Sequence, residues 1–91
     1  MANVNVVATE LAPIGGSTNS GLKIGFVDSK AKAAQKDTWT VTNAKSIVAC
    51  HIHNDASGTV DSAYPAGTAG VIVLNGTTTG ASSGIIVYAG K

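Results

Sequence analysis

Short apolar or alternating segments, separated by glycine, serine and asparagine, run through the whole chain. The most informative is 37–53, DTWTVTNAKSIVACHIH, which predicts two strands joined by a polar corner at 43–45. In the first strand Trp39 and Val41 alternate with threonines, which indicates one apolar face. The second strand, 46–53, is apolar on both faces for several residues. Such a run is typical of a strand inside a sandwich or barrel rather than at its edge.

The N-terminal segment also alternates. Val4, Val6 and Ala8 stand between polar residues, so 3–11 predicts a first strand or an extended arm. Pro13 and the glycine- and serine-rich loop 15–21 end it. We therefore divide the chain into an N-terminal strand or arm, 1–11, and a single β domain, 12–91.

Two segments follow that loop. The run 22–27, LKIGFV, predicts a strand in which Gly25 indicates a bulge or a close backbone approach. The lysine- and alanine-rich segment 29–36 has helix-forming composition but is short and lacks a wide apolar face. A short surface helix and an extended lysine-bearing loop are both compatible with it.

The C-terminal half predicts further strands. A crossing loop with one irregular strand is expected over 60–70, where Tyr64 precedes a proline. The strand 70–74 is followed by Asn75-Gly76, a hairpin signal that makes 77–79 the start of a return strand. The apolar run 85–89 predicts a last strand in the sheet interior. The expected fold is all-β: a compact sandwich or barrel of about five to seven mostly antiparallel strands with an extended N-terminal arm.

Composition narrows the function classes. A chain of 91 residues forms one domain with a small core, and a lone cysteine, Cys50, excludes an internal disulfide. Association or a metal is then the expected supplement to stability. Only 12% of residues are charged, about half the usual fraction, so little repulsion opposes association between copies.

The charged residues also argue against two kinds of partner. The net charge of +1 comes from lysines without any arginine, the residue best suited to phosphates and base edges, so we expect no nucleic-acid partner. No apolar run approaches the roughly 18 residues of a membrane helix, and the N-terminus lacks the pattern of a signal peptide. We expect a soluble chain made in the cytoplasm, with no membrane partner.

His51 and His53 are the weak candidates for metal binding, because residues two apart on a strand point the same way. Two imidazoles do not complete a tetrahedral zinc site. A site could form around a threefold axis or with Asp55 as a third ligand. The alternative, which we favour, is that both rings are ordinary polar residues at an exposed strand end, with no metal and no cofactor.

No pattern of residues in the sequence indicates a catalytic site. Cys50 lies between apolar neighbours and is expected to be a buried structural thiol, on the opposite face from the histidines. The acidic residues are scattered singly, and Asp37 is expected to bond local backbone amides. Trp39 is interpreted as a core or interface anchor. We expect the protein not to be an enzyme.

The order of elements resembles a known group of proteins. An extended N-terminal arm leads to DTWTV and SIVACHI, then GVIVLNG, and the chain ends in GIIVYAG. This layout is similar to that of the small β-rich proteins that decorate or cement the capsids of tailed phages and related viruses. The resemblance covers most of the chain from Asp37 onward and rests on layout and composition.

The resemblance implies a non-catalytic virion protein that stabilises the capsid lattice as a homo-oligomer, with a trimer expected. The partners would be other copies of the chain and the major capsid protein. The terminal arm, with Val4, Val6, Ala8 and Leu11, would augment a neighbour's sheet through main-chain hydrogen bonds. Three alternatives stay open: a tail-tube or fibre subunit, another self-assembling filament subunit, and a small carbohydrate- or metal-binding β module.

Overall fold

The computed structural model describes residues 2–14 and 21–91, and these form eight strands. The strands are β1 (Asn3–Val6), β2 (Thr9–Pro13), β3 (Leu22–Lys30), β4 (Asp37–Val41), β5 (Ala44–Asn54), β6 (Tyr64–Pro65), β7 (Val71–Leu74) and β8 (Ser82–Gly90). The all-β fold class is confirmed. Residues 15–20, which hold most of the glycine-rich loop, lie outside the described residues.

The strands pair into two four-stranded sheets. The first has the order β1-β4-β7-β6 and the second the order β2-β3-β8-β5. All described pairings are antiparallel except that of β1 with β4, which is parallel. The fold is therefore a sandwich of two sheets rather than a barrel.

The core lies between the sheets and follows the alternation of each strand. Trp39 and Val41 of β4 alternate with partly exposed threonines, and Ile86 and Tyr88 of β8 alternate with more exposed neighbours. Successive strand residues point to opposite faces, so each strand places every second side chain between the sheets. Ile52, Ile72 and Leu74, all fully buried, complete the centre of this core.

The corner after β4 carries the chain from the first sheet to the second. Asn43 stabilises it, because its side chain accepts a hydrogen bond from the Ala8 N–H at 3.0 Å and donates one to the Ala8 carbonyl at 2.8 Å. A turn was predicted here, at 43–45; it lies at 42–43, and β5 begins two residues earlier than predicted. The interior position of the next strand was not: β5 is an edge strand, with Val48 and His51 exposed.

β8 lies between β3 and β5, as its apolar sequence predicted. The run in β5 is apolar on both faces for another reason. One face contacts the core, and the other continues an apolar surface on the side of the second sheet that faces away from the core.

The N-terminal segment forms two strands instead of one. β1 pairs with β4 in the first sheet, and β2 pairs with β3 in the second. The link between them crosses from one sheet to the other, and Val6 and Ala8 at this crossing are buried. Folding of this chain therefore uses the segment as part of its own core.

One further expectation is corrected, and one pair of alternatives is decided in favour of the extended loop. Residues 77–79 do not form a return strand, because the chain leaves β7 for β8 in the other sheet, and the Gly76 N–H donates to Asp61 at 2.8 Å instead of closing a hairpin. No helix forms over 29–36: β3 continues to Lys30, and an irregular segment leads to β4. None of the described segments is a helix long and apolar enough to cross a membrane.

Candidate interaction face and polar cleft

The second sheet presents an apolar surface on the side away from the core. Register places Phe26 beside Ile85, Ile24 beside Val87, and Leu22 beside Ala89. Residues directly opposite in a pair of strands share a face, and Ile85 lies on the opposite side of β8 from buried Ile86. We call this surface the outer face; its members are Leu22, Ile24 and Phe26 of β3 and Ile85, Val87 and Ala89 of β8.

The outer face extends across all four strands of the sheet. Ala12 of β2 pairs with Ile24, and Ala49 of β5 pairs with Val87, so one row is apolar from edge to edge. The next row ends in polar groups, Thr9 on β2 and His51 on β5. Within these rows no side chain carries a permanent charge.

The area of the outer face can be compared with the apolar patches found on other soluble proteins. Four strands about 4.8 Å apart and five residues of about 3.3 Å give a footprint of roughly 300 Å². The largest apolar patch on an ordinary monomer covers about 300 to 600 Å² and is often functional, so the outer face is at the lower end of that range. Ile85, in the row next to the all-apolar one, is 47% exposed.

Both edge strands of this sheet add exposed apolar residues. Every residue of β2 is exposed, including Leu11 at 57%, and Val48 of β5 is 56% exposed. Each of these residues stands at a register irregularity, between Glu10 and Ala12 in one strand and between Ile47 and Ala49 in the other. Such bulges are common at sheet edges, where they disturb the regular ladder that another strand would join.

The four residues of the predicted assembly arm do not share one environment. Val4 is partly buried against the core, and Val6 and Ala8 belong to it. Leu11 alone is exposed. Donation of this arm to a neighbour stays a prediction, and it would require the neighbour's copy to replace these core contacts.

The two histidines lie on one side of β5. His51 is exposed and pairs in register with Ile85, and His53 is partly exposed, whereas Ile52 between them is buried in the core. Among the described residues, no group of three or more histidine, cysteine, aspartate or glutamate side chains is arranged to hold a metal ion. A site shared between copies of the chain stays a prediction.

Asp55 is the centre of a small polar cluster beside His53. Its carboxylate accepts hydrogen bonds from the Ser83 hydroxyl and, at 2.5 Å, from the Ser29 hydroxyl, and His53 Nε2 lies 3.7 Å away. The two hydroxyls hold the pKa of Asp55 below its ordinary value, and His53 lowers it further. The carboxylate stands between serine and imidazole, whereas nucleophilic catalysis needs the imidazole in the middle.

Cys50 is partly buried and packs against the core. Burial raises the pKa of the thiol, and the negative charge of Asp61 raises it further. A thiol held in its protonated form is a poor nucleophile. This environment agrees with a structural role.

A polar cleft of about 380 Å³ lies at one end of the sandwich, where three loops meet. Its walls come from the loop after β5, from the loop after β7 and from Gln35 in the segment between β3 and β4. Most of its lining is hydroxyl and amide groups. The residues concerned are Gln35, Asn54, Thr59, Ser62, Asn75, Thr77 and Thr78.

A buried ion pair supports the cleft. Lys32 Nζ lies 2.5 Å from Asp61 Oδ2, with the two side chains 0% and 5% exposed. Lys32 also donates to the Gly76 carbonyl at 2.6 Å, and Asp61 accepts from the Gly76 N–H. The pair therefore ties the loops after β3, β5 and β7 together.

Neither the outer face nor the cleft was predicted from the sequence. The outer face had a signal, because 22–27 and 85–89 lack the polar alternation of strands that face water. The cleft had none, because Lys32 and Asp61 are 29 residues apart and each is ordinary in its own segment. Comparison of this chain with protein-family models, with curated proteins and with solved structures finds no match.

Proposed function

We propose that this protein is a non-catalytic structural subunit that associates with other copies of itself through the outer face. The observations that carry the proposal are the row of apolar residues that crosses all four strands of the second sheet and the exposed Ile85 in the adjoining row. Packing such a face against another apolar sheet removes it from water, which is the main driving force for association. A second copy supplies a matching face by symmetry.

The charge distribution favours a second copy as the occupant. The outer face offers no permanent charge for a charged partner to recognise, and a net charge of +1 produces little repulsion between copies. Interfaces between identical subunits are also the most apolar class of protein interface.

The area that a stable interface buries indicates how much of the protein surface takes part in association. A stable interface buries about 800 Å² on each partner, more than twice the roughly 300 Å² of the outer face. That footprint already includes the edge strands β2 and β5, and the exposed side chains of Leu11 and Val48 add apolar area at its margins. We infer that an interface centred on the outer face extends over these edges.

Decoration of a virus capsid is the form of this function that the layout of the chain favours. In that form a homo-oligomer, expected to be a trimer, sits on the lattice of the major capsid protein and reinforces it. Each subunit bound to the lattice would stabilise it by mass action. A tail-tube, fibre or filament subunit is the alternative, and it predicts open polymers instead of a closed oligomer.

The test is the absolute mass of the purified chain by light scattering over a dilution series. We expect the wild type to form a closed oligomer, and Ile85→Lys to shift it to monomer because a charge enters the apolar interface. Tyr64→Lys is the matched control, since Tyr64 is 46% exposed and lies in β6 of the first sheet. A monomeric wild type, or equal effects of both variants, would contradict the proposal.

Sedimentation through a density gradient tests the more specific proposal, capsid decoration. Lysate of virus-infected source cells is sedimented, and the chain is located with an antibody. Wild type is expected in the fractions of intact particles, and Ile85→Lys in the free-protein fractions. Wild type found only as free protein or as long polymers would overturn capsid decoration.

A further inference from the structure

We propose that the polar cleft binds a small, neutral, hydroxyl-rich molecule, such as a cyclic polyol or a monosaccharide. The cleft lies among loops at the end of the sandwich, whereas the outer face lies on the flat of the second sheet. Its volume of about 380 Å³ is within the range of small-molecule sites, at the lower end.

The walls of the cleft are held in place before any ligand arrives. Asn54 N–H donates to the Thr59 carbonyl at 2.9 Å, and Asp61 N–H donates to the Ile52 carbonyl at 2.8 Å, which fixes the loop after β5. On the other wall, Gln35 Nε2 donates to the Asn75 carbonyl at 3.1 Å. A site whose loops are already ordered loses little conformational entropy on binding, so modest contacts suffice.

The electrostatics of the cleft select a neutral ligand. Asp61 is the one charged residue in its described lining, and Lys32 neutralises it at 2.5 Å. A charged ligand would find no free countercharge there. Displacing either member of so buried a pair would leave the other uncompensated, which costs far more than a few hydrogen bonds return.

The polar groups of the lining select hydroxyls. Thr59, Ser62 and Thr77 are exposed residues whose hydroxyls can donate and accept, as the hydroxyls of a polyol do. Asn75 adds a specific requirement: its Oδ1 is buried, and no described group donates to it. A turn of the Asn75 side chain toward the cleft would expose this oxygen to a ligand hydroxyl and satisfy a buried acceptor. Val60, also in the lining, offers the apolar contact that the C–H face of a ring needs.

The test is a titration followed by the amide resonances of ¹⁵N-labelled protein, with myo-inositol, D-glucose and N-acetyl-D-glucosamine as probes. Cyclohexanol is the matched control probe, because it has a ring of similar size with one hydroxyl. We expect saturable shifts at Asn75, Gly76 and Thr77 for at least one polyol, with a dissociation constant of about 1 mM, and none for cyclohexanol.

Variants of the cleft distinguish binding in the cleft from a general effect of the added solute on the amide resonances. Thr77→Trp, which fills the cleft, is expected to abolish the shifts, and Asn75→Leu to weaken binding about tenfold. The control is Thr68→Trp, at an exposed position beyond the opposite end of β7. Ile85→Lys should bind as the wild type does. Shifts that do not saturate, that cyclohexanol reproduces or that survive Thr77→Trp would overturn the proposal, as would no shift with any of the three polyols.

Discussion

The ring of Tyr88 occupies the space where any side chain at Gly25 would stand. A Cβ added at Gly25 would lie 2.5 Å from Cε1 of Tyr88, and that ring is itself buried. The sequence predicted a bulge or a close backbone approach at this glycine; the closest group is instead a side-chain ring, and it ties β3 to the core-facing side of β8.

We predict that Gly25→Ala lowers the free energy of unfolding by about 1 to 3 kcal/mol, because a buried ring has no free space into which it can move. Gly67→Ala is the matched control, since no atom lies within 4 Å of the added carbon. Chemical denaturation of both variants measures the difference. Equal stabilities would mean that Tyr88 does not pack over Gly25.

A second prediction compares two adjacent isoleucines of β8. Ile86 is fully buried and Ile85 is 47% exposed. Ile86→Asp places an unpaired charge in the core and costs several kcal/mol, a large part of the about 5 to 8 kcal/mol that stabilises a domain of this size. We expect it to abolish folding, whereas Ile85→Asp should still fold. Circular dichroism with thermal melting provides the measurement; a cooperative transition for Ile86→Asp would show that the strand is placed wrongly.

A third prediction concerns the buried ion pair of Lys32 and Asp61. Lys32→Met leaves Asp61 buried without its cation and should destabilise the fold by about 3 to 5 kcal/mol. The double variant Lys32→Met, Asp61→Leu should recover part of this loss, because no uncompensated charge remains. A double-mutant cycle from denaturation curves measures the coupling. If the single and double variants are equally unstable, the pair does not act as a unit.

Stability should fall in acid because two aspartates are held ionised by the fold. Backbone N–H groups of Ala2 and Ala33 lower the pKa of Asp37, as the hydroxyls of Ser29 and Ser83 do for Asp55. A pKa that is lower in the folded chain than in the unfolded chain stabilises the fold above the unfolded value, about 3.9. That contribution is lost as the pH falls through the folded values.

Thermal melts between neutral pH and pH of about 2 test this. We expect a plateau at higher pH and a fall in melting temperature below a pH of about 4, with a shallower fall for Asp37→Asn. Asp28→Asn, which removes an exposed carboxylate, is the control for net charge and should follow the wild type. An Asp37→Asn curve parallel to that of the wild type would exclude this role.

The last prediction concerns the histidines. Replacing both His51 and His53 by alanine should change the free energy of unfolding by less than about 0.5 kcal/mol, because both rings are at least partly exposed. Melting the wild type and the double variant with and without Zn²⁺ measures this. A zinc-dependent rise in the wild-type melting temperature that the variant lacks would establish a metal site between copies of the chain.

The sequence by itself determined the local features of this protein. Alternation with a period of two placed Trp39, Val41 and the neighbouring core positions, and the polar corner marked, to within two residues, where one strand ends and the next begins. Asp37 was expected to bond local amides, and it accepts hydrogen bonds from the N–H groups of Ala33 and Ala34. These features depend on residues close together in the chain, so a sequence pattern is enough to predict them.

Tertiary structure alone decided which strand pairs with which. A turn signal such as Asn75-Gly76 predicts a hairpin. Gly76 instead forms hydrogen bonds with Asp61 and Lys32, from distant segments, and the chain continues into the other sheet. The same holds for the edge position of β5, for the outer face and for the cleft. Each depends on segments that are far apart in sequence, and the free energy of burying their shared surface, rather than any local preference, selects the arrangement.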